Sequence, residues 1–195
     1  MTKLLKSKVF RFIKNNISKA KKIIICAFCL ALALIIGRFK LILFGGTVKL
    51  TFDGIFYKFA AIIIGPFYGL LIAFLSEMLG AILNPVGNYI FLLSVTEGLH
   101  GLLVGIVWRL FDKNKFHQNK LIKLFFSLSV PGIMTNFVNS FILKHYLLWA
   151  NEIFWKTVII RLGKELIMIL INIIVLNLML DIYEKKINMN HVSQD

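Results

Sequence analysis

The sequence predicts an all-α, polytopic membrane protein: a bundle of six transmembrane helices. Three observations carry this. Hydrophobic residues make up 58% of the 195 residues and the mean hydropathy is +0.81, more apolar side chain than a soluble chain of this size can cover. The apolar residues fall in runs separated by short polar breaks, the pattern of successive spans. The formal charge of +14, from 23 Lys+Arg against 9 Asp+Glu, gathers at the ends of those runs. In a soluble chain that excess would point to nucleic acid; here it sets membrane topology, and no nucleic-acid partner is expected.

The length suits one domain. Residues 1–22 form a basic amphipathic cytoplasmic segment, 23–183 the six-helix transmembrane domain, and 184–195 a cytoplasmic tail. The first segment sets Lys3, Lys6, Lys8, Arg11, Lys14, Lys19, Lys21 and Lys22 against Leu4, Leu5, Phe10, Ile13 and Ile17, with no acid. It suits the anionic leaflet. A basic stretch before an apolar run mimics a signal peptide. No clean small-x-small cleavage signature follows, and more spans do, so it is read as a retained first helix.

Span 1 covers 23–43, with Arg38 and Lys40 near its outer end. Cys26 and Cys29 share one of its faces; without a second ligand pair they read as small packing residues. After a loop at 44–51, span 2 (52–64) carries Asp53 and Lys58, so it is not exposed to lipid all round. Gly65-Pro66 makes a tight turn, since proline lacks a donor and fits a first helical turn. Span 3 (66–83) holds the isolated Glu77, and Asn84-Pro85-Val86-Gly87-Asn88 turns the chain again. Span 4 (89–110) contains Glu97 and His100. A polar loop (112–120) leads to span 5 (121–143), with Pro131, Asn136 and Asn139. A Trp-bearing loop (144–156) precedes span 6 (157–182), which has Arg161, Lys164 and Glu165 in its first third.

Basic residues orient the bundle. The N-terminal segment, the 109–123 region and the tail are the richer side. Both termini are therefore cytoplasmic, with the Gly65-Pro66 turn inside and the 44–51, 84–88 and 144–156 loops outside. Trp149 and Trp155 suit the outer interface belt. No GxxxxGK[ST] motif occurs, so ATP hydrolysis has no carrier in this chain. Nor does any Ser-His-Asp set, HExxH or Cys-His pair, so the chain is not read as an enzyme. His100, without partner ligands, is read as structural.

Arg38, Arg161 and Lys164 lie in or beside spans, where a charge costs about 2.5–3.5 kcal/mol. Two readings follow. Glu165 and Arg161 pair at i, i+4 while Lys164 snorkels, or an outward cavity attracts an anionic solute, with arginine gripping a carboxylate. Glu77 and Glu97 either pair with buried bases or accept from an NH-rich ring. Asn84, Asn88, Asn136 and Asn139 either bridge helices or contact a ligand. Small residues recur at four-residue spacing in Ala27-x-x-x-Ala31, Gly65-x-x-x-Gly69 and Gly101-x-x-x-Gly105, which lets helices approach closely, inside the bundle or against a partner.

In order along the chain, these motifs resemble the substrate-binding S component of energy-coupling factor (ECF) vitamin transporters, of the folate type. The resemblance rests on Ala27-x-x-x-Ala31, Arg38-Phe39, Gly65-Pro66-x-x-Gly69, Glu77-Met78-Leu79-Gly80-Ala81, Asn84-Pro85-x-Gly87, Gly101-Leu102-x-x-Gly105, Thr135-Asn136 and Arg161-Leu162-x-Lys164-Glu165-Leu166-Ile167. It implies a six-helix protein that captures a vitamin, folate by preference, at the outer face. The chain would bind no cofactor itself. It would associate through Ala27 and Ala31 with a transmembrane coupling protein, and with two cytoplasmic ATPases that use the ATP. Toppling of the S component in the cell membrane is the implied transport step.

The substrate-binding residues expected on this basis are Arg38, Lys49, Phe52, Phe67, Glu77, Asn84, Tyr89, Asn136, Arg161, Lys164 and Glu165. The basic residues would take the glutamate carboxylates, Glu77 or Asn84 the pterin NH groups, and Phe52, Phe67 and Tyr89 would stack on the ring. Glu77 stands where the folate type usually has Asp, Glu97 where a small residue is typical, and Asn84 where an apolar residue is common. Riboflavin or thiamine are the alternative substrates. A membrane scaffold or assembly protein without ligand is the alternative from another class.

Overall fold

The computed structural model describes residues 18–39, 41–43, 48–83, 85, 89–113, 119–147 and 151–192. Helix α1 (Lys19–Ile36) starts where the Ser18 hydroxyl accepts from the Lys21 N–H at 3.4 Å. It stops at Gly37, whose N–H returns to the Ala33 carbonyl at 2.8 Å. The expectation that span 1 runs to residue 43 is therefore corrected. Beyond Gly37 and Arg38 the chain forms a hairpin, with β1 (Leu41–Leu43) antiparallel to β2 (Val48–Leu50) and Leu41 opposite Leu50.

Helix α2 (Gly54–Ile63) is capped by Asp53, whose Oδ1 accepts from the Gly54 N–H at 3.1 Å. Its 10 residues rise only about 15 Å, half a bilayer. It is the most enclosed helix of the bundle and packs against α1 and three of the helices that follow. Ala60, Ala61 and Ile62 are fully buried. The chain turns at Gly65, where φ is +144°. A Cβ there would lie 2.3 Å from Arg109 Nη2, so glycine answers both the backbone conformation and the space.

Helices α3 (Pro66–Leu83) and α4 (Phe91–Lys113) are joined by their glycines. A Cβ on Gly69 would sit 2.8 Å from the Gly101 carbonyl oxygen, and one on Gly105 would sit 2.6 Å from Pro66 Cα. The two glycine motifs of the sequence thus meet each other, while Ala27 and Ala31 stay exposed on α1 beside Ile24, Phe28 and Ile35.

Helices α5 (Lys120–Leu147) and α6 (Asn151–Val192) run antiparallel, tied at one end by Lys120 Nζ to Asp181 Oδ1 at 2.7 Å. At 42 residues α6 overruns the expected span 6 at both ends. No glycine or proline follows Gly163 to stop it. Trp155, assigned to a loop by the sequence, is helical and 58% exposed; Trp149 lies outside the described residues.

The all-α class holds, with six helices among the described residues and one short hairpin. Four helices, α3 to α6, are long and apolar enough to cross a membrane. The sequence led to six full spans. Helix α2 is too short for that by itself, and α1 carries Lys19, Lys21 and Lys22 in its first turn. Of the basic amphipathic segment, residues 1–17 lie outside the described residues.

Candidate functional site

Where α2 begins, five helices turn polar faces toward one another around a cavity of about 100 Å³. Each contributes residues at i, i+3 or i+4 spacing, which is what places them on a common face. Asp53, Tyr57 and Lys58 come from the start of α2, and Ala73, Ser76 and Glu77 from α3. Glu97 and His100 come from α4, Thr135, Asn136 and Asn139 from α5, and Lys164, Glu165 and Met168 from α6. Thr51 and Gly54 complete the lining.

Two polar clusters are built into this wall. In the first, the Tyr57 hydroxyl lies 3.2 Å from Glu97 Oε2 and 3.1 Å from His100 Nδ1. The hydroxyl has one proton. Given to Glu97, it leaves His100 Nδ1–H as the donor to the tyrosine oxygen, and Nδ1 also stands 3.6 Å from Glu97 Oε2. His100 Nε2 is buried and has no partner among the described residues. In the second cluster, Asn136 Nδ2 donates to Glu165 Oε2 at 2.7 Å and to the Gly132 carbonyl at 3.0 Å, while Lys164 Nζ stands 3.8 Å from Glu165 Oε2. Gly132 makes room for the carboxylate, since a Cβ there would lie 2.6 Å from Glu165 Oε1. Between the clusters the Thr96 hydroxyl meets Asn139 Oδ1.

Lys58 forms no hydrogen bond with either, although the charges of Glu165, Glu97 and Asp53 act on it at longer range. It is only 6% exposed and its Nζ lies 5.6 Å from the centroid of the Tyr57 ring. No ion pair or hydrogen bond to Lys58 forms among the described residues.

Of the substrate-binding residues expected from sequence, the structure brings Glu77, Asn136, Lys164 and Glu165 together. Arg38 lines a smaller recess of about 10 Å³ between α1 and α3, which shares Asp53, Ser76 and Glu77 with the main cavity. Arg161 is half-buried on α6 and outside the lining. Phe52 borders the lining at 36% exposure.

Phe67 does not belong with them. It follows the Gly65-Pro66 turn, 62% exposed, and about 15 Å of helix separates it from Glu77. Tyr89 is 49% exposed and its hydroxyl is engaged by Ser94 Oγ at 2.8 Å. Lys49 pairs with Ile42 across the hairpin, and its side chain lies outside what is described, as does Asn84 altogether.

The sequence reading missed Tyr57, Lys58 and Thr135 as lining residues and took His100 for structural. The signal was present: Asp53 and Tyr57, like Gly54 and Lys58, stand four apart at the head of an apolar helix, and Glu97 and His100 stand three apart on the next one that meets it.

The family model for the S component of ECF-type riboflavin transporters matches residues 17–185. No curated protein matches the sequence.

Proposed function

The chain belongs to the family of S components of ECF-type riboflavin transporters, and from that premise we propose that it captures an uncharged, polar heterocyclic vitamin, riboflavin by preference. The observation that carries this reading is the charge of the lining. Among the described residues, Asp53, Glu77, Glu97 and Glu165 face the cavity against two ammonium groups, Lys58 and Lys164. Folate, the substrate the sequence resemblance favours, brings carboxylates of its own, which this wall would repel. A flavin brings no net charge. Its ribityl hydroxyls can donate to carboxylates and amides, and its ring carbonyls can accept from the ammonium groups and hydroxyls.

The cavity is smaller than the roughly 300–1,000 Å³ of sites that enclose ligands of this size. Binding therefore widens it. The two places that can yield are the β1–β2 hairpin, whose second strand packs on α6, and the recess between α1 and α3 that shares Glu77 with the cavity. In the full transporter the chain works as a membrane-embedded binding subunit, with both termini cytoplasmic. It supplies vitamin to a coupling protein driven by two ATPases.

The test is binding by the purified full chain in detergent. Riboflavin fluorescence should be quenched on titration, the melting temperature should rise with riboflavin, and folate and thiamine should leave it unchanged. Mass spectrometry of what co-purifies gives an independent answer. Stabilisation by folate alone would replace the flavin reading with the folate one. Absence of any ligand would favour the scaffold reading.

A further inference from the structure

An ammonium group enclosed in a membrane protein is costly unless something compensates it. Lys58 is enclosed: it is 6% exposed, and the next turn of its helix, Ala60 to Ile63, is buried. Four carboxylates line the same cavity, yet none is within ion-pair distance of Lys58 among the described residues. Those carboxylates are committed in part elsewhere. Glu97 accepts from Tyr57, and Glu165 accepts from Asn136 and faces Lys164. The contact that Lys58 does make is with the π face of Tyr57, whose hydroxyl is held by Glu97 and His100. That arrangement steadies the lysine stem and leaves its three N–H donors for something else.

We infer that Lys58 is a ligand-recognition residue, whose ammonium takes the electronegative carbonyl edge of the vitamin's heterocycle. The rest of the wall supports the division. Glu97, Glu165 and the Asn139 amide oxygen are acceptors and suit hydroxyl donors, so a polyhydroxyl chain belongs with them. Ring carbonyls need a donor, and the Lys58 ammonium, without a hydrogen bond or ion pair among the described residues, can supply it. The inference deepens the flavin-type reading and rests on it.

The arrangement has a signature that a structural lysine would not give. Replacing an enclosed ammonium that has no ion pair within contact distance by an isosteric apolar chain removes its desolvation cost, the largest influence on it, against a smaller loss of longer-range attraction to Glu165, Glu97 and Asp53. The Lys58→Met protein should therefore melt no lower than wild type without ligand. Its affinity for riboflavin should fall about 10- to 100-fold, the loss expected for one charge-assisted hydrogen bond. Lys58→Arg should recover part of that loss, and Lys58→Gln, which keeps a donor without the charge, should fall between Met and wild type.

The experiment is thermal unfolding and riboflavin titration of the full chain in detergent, wild type and the three variants together. A lower melting temperature for ligand-free Lys58→Met, or equal riboflavin affinity in wild type and Lys58→Met, would overturn the role of Lys58 and leave the flavin reading standing. Failure of wild type to bind riboflavin would overturn the flavin reading. The same variants titrated with whichever vitamin wild type does bind would then decide Lys58: a loss in Lys58→Met supports recognition and no loss ends it.

Discussion

The two halves of α2 are built on opposite principles. From Ala60 to Ile64 the helix is apolar and without space. It packs where Gly69 and Gly101 bring α3 and α4 to backbone contact, and where Gly65 and Arg109 close the turn. Less than two turns earlier, Tyr57 and Lys58 face a polar cavity with charged groups from α3, α4 and α6. Apolar side chains gain nothing from meeting one another in lipid, so close backbone approach must hold the lower half together. The upper half is held by hydrogen bonds between groups that water or ligand can also reach. The lower half is therefore a rigid floor and the upper half the part that can change partners. Substitutions in the two halves should fail differently.

The largest effect belongs to the floor. A Cβ on Gly101 would lie 2.3 Å from the Gly69 carbonyl oxygen, a backbone atom that cannot swing away. Gly101→Val should cost at least the about 1–3 kcal/mol of an overpacked site. It should lower the melting temperature and the yield of monodisperse protein in size-exclusion chromatography, whether or not vitamin is present. A Gly101→Val protein that melts like wild type would show that α3 and α4 are not packed through these glycines.

Next comes the wall. Glu165→Ala removes the acceptor of Asn136 and the counter-charge of Lys164. Hydrogen bonds to charged groups are worth about 1.5–3 kcal/mol, so vitamin affinity should drop about tenfold or more while the protein remains folded. Glu165→Gln keeps an oxygen acceptor toward Asn136 and should lose less. Equal loss in both variants would mean that charge alone matters. Tyr57→Phe should cost less again, about fivefold in affinity, because one neutral hydroxyl contributes about 1 kcal/mol. It also frees Glu97 and His100 to rearrange, so its effect should appear in binding and hardly at all in the melting temperature.

The contrast between the halves explains what was legible in the sequence. The floor was: glycines at four-residue spacing and a Gly-Pro turn are local signals, and the structure finds them where the spacing put them. The helix bundle was legible through hydropathy, apart from α2 and the end of α1, where a short helix and a hairpin share an apolar run. The wall was legible only for residues conspicuous in their own segment, such as Glu77, Asn136, Lys164 and Glu165. Tyr57 and His100 are marked in the sequence only by their spacing from Asp53 and Glu97. Their role exists only because α2 and α4 meet, a fact of tertiary packing. Phe67 misled for the converse reason, since an aromatic near a motif says nothing about which end of a helix it occupies.

The smallest expected effect on binding lies on neither half of α2 but on the outside of α1. Ala27 and Ala31 are exposed on a face with Ile24, Phe28 and Ile35, away from the cavity lining. A tryptophan there would project from an exposed face of the described residues and would prevent a second helix from approaching closely. Ala31→Trp should therefore leave riboflavin affinity and melting temperature within error of wild type, and abolish vitamin uptake by cells that depend on the chain. This separates capture from delivery. If Ala31→Trp weakens binding as well, α1 is coupled to the wall through the recess it shares with Arg38 and Glu77, and the division between a fixed outer face and an adaptable cavity does not hold. If uptake persists, the partner docks on another face of the bundle.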